Sequence, residues 1–480
     1  MNKRWWGICL LVGLSVLLAQ PVSGVSFAEG TKDPAQGLAS DPTLRWNTFL
    51  GGEGWDDGYA VAVDGGGNVY VAGTSQRTWG TPIRPYKGAG DAFVAKLNSM
   101  GALQWNTFLG SASGADEGYA LALDGNGNVN VTGQSLFSWG SPIHAHSGQS
   151  IDIFVAQLSK NGALKWNTFH GGQSIDRGHA LVVDGLNNIY VSGESRGTWG
   201  SPVNPPGSNL VNEEAFAAKL SNNGVLQWNT FMGDSNGADY ARALAVDGAV
   251  VVAGYSQKAW GAPVRPHSGD WYGDAFVAQL NRGNGVRQWN TFLGGAETDQ
   301  ARGIASGAGA LYVTGYSYGP WGAPVDPFPG NSENAFVARL NGNGALQWNT
   351  FLGGGDYEDD RGHAISVSAG RIFVTGQSSD TWGTPVHPHS DDWDAFVAHL
   401  NSNGTLRWNT FLGGDDTDYG FAIASNNANV YVVGESHVEY DDWGQPVRPG
   451  SGSYDAFAVR LGVEAPKVYY SLVPLILRNR

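Results

Sequence analysis

Seven aspartates recur at one position of the chain: Asp56, Asp116, Asp176, Asp239, Asp299, Asp360 and Asp418. Carboxylate oxygens are what a hard cation such as Ca2+ requires, and a ring of them would also draw a cationic ligand. Further acids crowd the same segments, namely Glu53, Asp57, Glu117, Asp234, Glu297, Asp356, Glu358, Asp359, Asp415 and Asp416. The alternative is that each aspartate accepts hydrogen bonds from backbone N–H groups of its own turn. Repetition without variation favours this alternative, and calcium stands as the one cofactor to test.

A second set, Trp79, Trp139, Trp199, Trp260, Trp321, Trp382 and Trp443, opens the motif Trp-Gly-x-Pro. An indole face stacks on the apolar face of a sugar, so these seven are the candidate ligand-binding residues of a lectin. The competing role is to pack the loop onto the structure beneath it. A third set begins Trp-Asn-Thr-Phe, at Trp46, Trp105, Trp166, Trp228, Trp289, Trp348 and Trp408. These are expected on an outer strand, wedged between repeats.

Histidines His144, His146, His267, His387 and His389 follow Trp-Gly-x-Pro, and imidazoles two apart beside carboxylates form a divalent-metal pattern. Equivalent positions hold Arg84 and Tyr86, or Asp326 and Phe328, so no shared site follows and a solvated loop is expected. Asp124-Gly125-Asn126-Gly127-Asn128 starts like a calcium loop, but its twelfth residue is Ser135 rather than a bidentate Glu, which leaves a turn. One position changes type from repeat to repeat: Tyr59, Tyr119, His179, Arg242, Arg302, His363 and Phe421. It is expected to line a channel and to give the ring its asymmetry. An enzyme needs a nucleophile beside a base, or two carboxylates in different environments. No Gly-x-Ser-x-Gly stretch is followed by the helical period that a nucleophile elbow needs, and no His-Glu-x-x-His motif is present, so no catalytic residue is assigned, although fold alone does not exclude catalysis.

The elements that must position these residues are legible from the repeat. Trp-Asn-Thr-Phe returns every 59 to 62 residues, and each marker occurs seven times. A third marker ends at Phe93, Phe154, Phe216, Phe276, Phe336, Phe396 and Phe457. Within one unit, Gly58 to Val63 and Asn68 to Gly73 flank the turn Asp64-Gly65-Gly66-Gly67, which reads as a hairpin. Asp91 to Leu97 and Leu103 to Leu109 follow as two more strands. The alternation has period two throughout, with no helical period. Seven units of four antiparallel strands predict an all-β, seven-bladed β-propeller. Leu44 to Leu50 is a fourth strand without its hairpin, and the last unit stops after its third strand, at Asp455 to Leu461. Pairing the two ends closes the ring and removes both open sheet edges.

These motifs resemble the bacterial SBBP repeats, a family named for seven-bladed β-propellers. The resemblance rests on Phe-Leu-Gly-Gly before an acidic loop, on Ala60 to Gly73, and on Asp91 to Leu97, and it covers about Leu44 to Leu461. Trp-Asn-Thr-Phe stands where a Tyr-Ser-Thr-Tyr type segment is more usual, and Trp-Gly-x-Pro where a Phe-Pro loop is common. The resemblance implies an exported propeller and supplies no catalytic residues.

The chain ends and the composition bound the rest. Lys3 and Arg4 precede an apolar run from Ile8 to Ala19, which reads as a signal peptide over 1–28, cleaved after Gly24 or Ala28. The only cysteine, Cys9, lies in that segment, so no disulfide is expected in the mature chain. Residues 29–43 read as a linker, 44–462 as the propeller, and 463–480 as an apolar and basic tail. The tail resembles short Leu-Pro-Leu-Ile-Leu-Arg segments on some secreted bacterial proteins and reads as an edge strand or a surface-attachment signal. Its run of apolar residues is too short to span a bilayer. Gly reaches 71 of 480 residues and aromatics 12 %, which excludes a disordered chain. A net charge of −15 argues against nucleic acid as a partner. The expected protein is a secreted or surface-attached monomer that binds a glycan, a protein or a cell-envelope component without catalysis. A lectin, or a polysaccharide hydrolase or lyase acting at the channel mouth, is the alternative.

Overall fold

The computed structural model describes residues 42–463, apart from 149, 208–211, 269–271, 331, 356–358, 391 and 439–442. The signal peptide, most of the linker and the tail from 464 onward lie outside the described residues, as do Asp356 and Glu358. The described residues form seven four-stranded antiparallel sheets, each built from consecutive strands except the last. The first sheet is Asp56–Val63, Val69–Ser75, Asp91–Leu97 and Leu103–Leu109, so the hairpin strands run two residues beyond the sequence reading at one end each. In the last sheet Thr43–Leu50 pairs with Tyr454–Gly462, from Thr43 opposite Gly462 to Leu50 opposite Ala456. The ring is closed by strands from both ends of the described chain, as the spare and missing strands required. No helix among the described residues is long and apolar enough to cross a membrane.

The first strand of every sheet is innermost, and it touches the first strand of both neighbours around the whole ring. Each sheet is sandwiched, so both faces of its middle strands are apolar and buried. Phe93, Phe154, Phe216, Phe276, Phe336, Phe396 and Phe457 are wholly buried, and the core divides into clusters that each draw on two adjacent blades. At the closing junction Trp79, Phe93 and Phe108 pack with Tyr431, Val433 and Ala456 from the far end of the chain. The outer-strand tryptophans lie where expected, between blades. The indoles of Trp46, Trp105, Trp166, Trp228, Trp289 and Trp348 cover the turn glycines Gly101, Gly162, Gly224, Gly285, Gly344 and Gly404 of the next unit so closely that a Cβ there would overlap the ring.

Every inner strand carries a β-bulge at the same place. Its pairing register shifts between Gly58 and Ala60, Gly118 and Ala120, Gly178 and Ala180, Ala241 and Ala243, Ala301 and Gly303, Gly362 and Ala364, and Gly420 and Ala422. The extra residue in each case is Tyr59, Tyr119, His179, Arg242, Arg302, His363 or Phe421, the position that varies in type. A bulge leaves its residue out of the ladder and re-aims the side chain. Small flanking residues make room for the distortion.

Candidate functional site

The seven bulged side chains form a closed circuit on the channel side of the inner strands. Tyr59 lies 5.6 Å from Tyr119 and 5.5 Å from Phe421, ring centre to ring centre. Tyr119 lies 5.1 Å from His179, and His363 lies 5.6 Å from Phe421. His179 Nε2 is 2.6 Å from the Arg242 guanidinium. Arg242 and Arg302 feel each other's charge, as do Arg302 and His363, which completes the circuit. One arc is therefore aromatic and the other cationic.

Residues two positions ahead of the bulge and their partners on the second strand thicken this polarity. On the aromatic arc Tyr59 donates to Asp57 at 2.9 Å, and Tyr119 donates to Glu117. Burial raises the Asp57 and Glu435 carboxyls, Glu435 to about 8, and the two hydrogen-bond each other, so they hold a proton between them. On the cationic arc Glu194 is buried, but His179, Arg242 and Arg177 outweigh burial and hold it ionised, at about 2. Arg361 pairs with Glu333. Burial, then Arg302 and Arg361, push His363 down to about 4, so it is neutral near pH 7 and sits against Gln377 at 2.9 Å. Glu194, Glu333, Glu435 and Arg361 were not singled out from sequence. Arg361 belongs to a second inner-strand position that also varies in type, Asp57, Glu117, Arg177, Tyr240, Gln300, Arg361 and Tyr419, and Glu194 and Glu435 to the varying position opposite it, Thr74, Gln134, Glu194, Tyr255, Tyr316, Gln377 and Glu435.

The aspartate ring begins the inner strands as expected, but its carboxyls are not displayed at an open mouth. All seven are at most 1 % exposed. Each accepts a backbone N–H from the preceding loop, from Gly52, Ser111, Gly172, Asp234, Gly295, Gly354 or Gly414, at 2.8–3.0 Å. Each also meets the serine that ends the second strand, Ser75, Ser135, Ser195, Ser256, Ser317, Ser378 or Ser436. In six blades that hydroxyl lies 2.6–2.9 Å from a carbonyl oxygen two residues on. A hydroxyl has one proton, so when it goes to the carbonyl the carboxyl must supply the other. Burial drives the same way, raising Asp56, Asp116, Asp176, Asp299 and Asp360 to about 7 and Asp418 to about 8. Below about pH 7 the ring is thus mainly a set of neutral hydrogen-bond donors rather than a set of free carboxylates.

A second acid lies across six of the seven junctions, Glu214 beside Asp239 being one. Asp91, Asp152, Asp274, Asp394 and Asp455 end on the other side of the glycine that closes Phe-Leu-Gly or its equivalent, and Asn334 takes that place once. At Gly110 the two carboxyl oxygens lie 2.4 and 2.8 Å from where a Cβ would stand, so only glycine fits between them. Among the described residues no group of three or more His, Cys, Asp or Glu is arranged to hold a metal ion. Titration of the chelator-treated protein with millimolar Ca2+ is therefore expected to leave its Tm unchanged. A saturable rise, abolished by Asp56→Asn, would return the ring to the role of a cation site.

The Trp-Gly-x-Pro indoles are placed as packing residues. They are 5–8 % exposed, each edge-on to the marker phenylalanine of its own blade at 5.2–5.5 Å. Their carbonyls accept the side-chain amide of the Trp-Asn-Thr-Phe asparagine at 2.6–2.8 Å in every blade, from Asn47 to Asn409. The indole N–H of Trp260, Trp382 and Trp443 reaches the serine that holds the aspartate. The sequence markers are therefore one internal network, and none of these seven indole faces is open for a sugar to stack upon. The loop histidines anchor too. His146, His267 and His389 place Nε2 3.0–3.2 Å from the carbonyl of the same serine, where Tyr86 instead donates to the Gln76 carbonyl. These three are not the solvated groups expected, because the loop folds back over the blade edge, whereas His144 and His387 are exposed as expected. Asp124 accepts the N–H groups of Asn126 and Asn128 and is a turn.

Seven four-stranded antiparallel blades closed around a channel define a seven-bladed β-propeller. No family model matches the chain. It is 23 % identical over 270 residues to the uncharacterised WD repeat-containing protein L264 of Acanthamoeba polyphaga mimivirus, a match covering 46 % of this chain and 19 % of the relative. The chain thus spans about a fifth of that protein's length. Among solved structures it is similar to the WD40 β-propeller domain of Doa1, at TM-score 0.47 and 11 % identity, covering 89 % of this chain and 99 % of that one. Quinohemoprotein alcohol dehydrogenase from Comamonas testosteroni matches at TM-score 0.44 and 11 % identity, covering 90 % and 78 %. Polysaccharide lyase Uly1 matches at 0.43 and 8 %, covering 88 % and 98 %. At such identities these likenesses assign no function.

Proposed function

We propose that the chain is a binding propeller of the SBBP-repeat type, secreted or displayed at the cell surface as a monomer, which takes its ligand at the mouth of the central channel without turning it over. The observation that carries this reading is the bulged circuit. The aspartate, tryptophan and asparagine markers repeat in every blade for structural reasons, whereas this position differs in kind around the ring and faces the channel. A site needs such a break in symmetry, because seven identical walls cannot distinguish one end of a ligand from another. The basic and apolar run at the start of the chain supports export, and the apolar tail supports surface attachment. Glycans lead as ligands, since Tyr59, Tyr119 and Phe421 present aromatic faces to the channel in place of the buried indoles.

The test is a glycan and peptide binding screen of the mature protein, repeated with Tyr59→Ala combined with Phe421→Ala. Saturable binding that this variant weakens on the order of tenfold or more supports the channel site, since losing an aromatic contact costs roughly 0.5–1.5 kcal/mol beyond buried area. Binding that survives it unchanged would move the site elsewhere. The second reading, a hydrolase or lyase, is favoured by Asp57 and Glu435, two hydrogen-bonded carboxyls of which one can stay protonated to act as an acid while the other is charged. It requires product release from a bound polysaccharide, abolished by Glu435→Gln.

A further inference from the structure

Arg302 is the one residue of the circuit whose chemistry is left incomplete. Among the described residues no carboxylate pairs with it, whereas Arg177, Arg242 and Arg361 each meet a glutamate. Its Nε is buried with no hydrogen-bond partner, and one terminal nitrogen donates to the Tyr316 hydroxyl at a long 3.3 Å. Its guanidinium lies 5.4 Å from the centre of the Tyr316 ring, and that of Arg361 lies 5.5 Å from the same ring. Arg242 adds a third positive charge on the other side.

The guanidinium is partly withdrawn from water at its Nε with no counter-charge beside it, and neighbouring cations add to the cost of holding it there. The cationic arc therefore calls for an anion held at one place. A planar carboxylate matches the guanidinium fork, which offers two parallel N–H groups. Across the channel mouth Phe421, Tyr59 and Tyr119 supply an aromatic wall, which suits the apolar face of a pyranose ring.

Building on the channel-mouth reading above, we infer that the ligand is an acidic sugar, its carboxylate held by Arg302 and its ring resting toward the Tyr59 and Phe421 side. The sugar enters end-on from the mouth. Selectivity follows from charge: the acid is preferred over its neutral ester, which cannot satisfy the guanidinium.

The experiment is calorimetric titration of the full mature chain with galacturonate and glucuronate trimers, their methyl esters, and a 6-sulfated glucose trimer. The expected result is binding of an acidic trimer on the order of 10- to 100-fold tighter than its ester. Arg302→Gln should erase that preference, Arg302→Lys should restore part of it, and both should melt near the parent temperature. Preference for the sulfated trimer with the same Arg302 dependence would overturn the carboxylate assignment in favour of a sulfate ester. Equal binding of acid and ester, unchanged in Arg302→Gln but weakened by the Tyr59 and Phe421 pair of substitutions, would overturn the anion site while leaving the channel reading standing. Binding indifferent to all these substitutions, or none to any trimer, would remove the inference; only the former, or an equally blank wider screen, would remove the channel reading as well.

Discussion

Raising the pH from about 5 to about 9 is expected to lower the Tm of the propeller steeply. Asp56, Asp116, Asp176, Asp299 and Asp360 have carboxyls raised to about 7, and Asp418 to about 8, chiefly by burial. The folded values exceed the unfolded one, so the stability these groups contribute is fully present below about pH 4 and is lost as pH rises through 7 to 8. One pKa unit is about 1.4 kcal/mol, so even one unit at each of six sites rivals the whole stability of an ordinary domain, about 5–15 kcal/mol. Carboxylates held low act in the opposite sense. Asp64 and Asp184 are lowered despite burial by the N–H groups and asparagines of their own turns, and Glu194 to about 2 by His179 and its arginines. Their contribution fades as pH falls through the acid range, which places the optimum near mildly acid pH. Calorimetric scans at three pH values decide the matter, and a Tm that is flat or rises toward pH 9 would sink the claim. Asp299→Asn gives the internal control. Its neutral amide can donate as the protonated acid does, so this variant should lose less Tm at pH 9 than the parent, a replacement of the kind Asn334 already makes across the junction.

Gly315→Ala should cost about 3 kcal/mol or more, among the largest effects expected of a single methyl group in this chain. A Cβ at Gly315 would stand 1.8 Å from the Gln300 carbonyl oxygen and 2.9 Å from the Ala301 Cα, so backbone rather than a yielding side chain is in the way. The cause is the bulge at Arg302, which presses the inner strand toward its partner opposite Gly315. All six equivalents, Gly73, Gly133, Gly193, Gly254, Gly376 and Gly434, face the same contact at 1.7–1.8 Å. Relief would require the bulge to shift, so the variant should also weaken any ligand held by Arg302. Gly185→Ala, in an open turn with nothing within 4 Å, should change stability by less than about 0.5 kcal/mol. Denaturant titration of both variants checks the contrast, and equal losses would show that the bulge is not what demands the glycine.

The blades were legible because each is a local pattern written seven times. Period-two alternation, turn glycines and asparagines, and a spare strand at one end with a missing strand at the other were enough to imply a closed ring. The roles of Asp56 and Trp79 and their equivalents were harder to read. Both residue types are as common at ligand sites as in hydrogen-bonded turns, and their decisive partners, Ser75 and Asn106 in the first blade, lie 19 and 27 residues away along the chain. Nor could the bulge be seen, because Gly58-Tyr59-Ala60 alternates small and large just as an unbulged strand does.

The sequence by itself determined the architecture of this protein, because strand pairing and turn formation depend on near neighbours that the repeat preserves. It also marked the varying position, since variation against a regular background needs no coordinates to be noticed. Only the tertiary structure decided what the conspicuous residues do. Whether a carboxyl is charged or an indole face is free depends on what the adjacent blade places over it, and those atoms come from about 60 residues away or, at the closing junction, from the other end of the propeller. Burial by those neighbours turned an apparent carboxylate ring into neutral donors and left Arg302 as the charge in search of a partner.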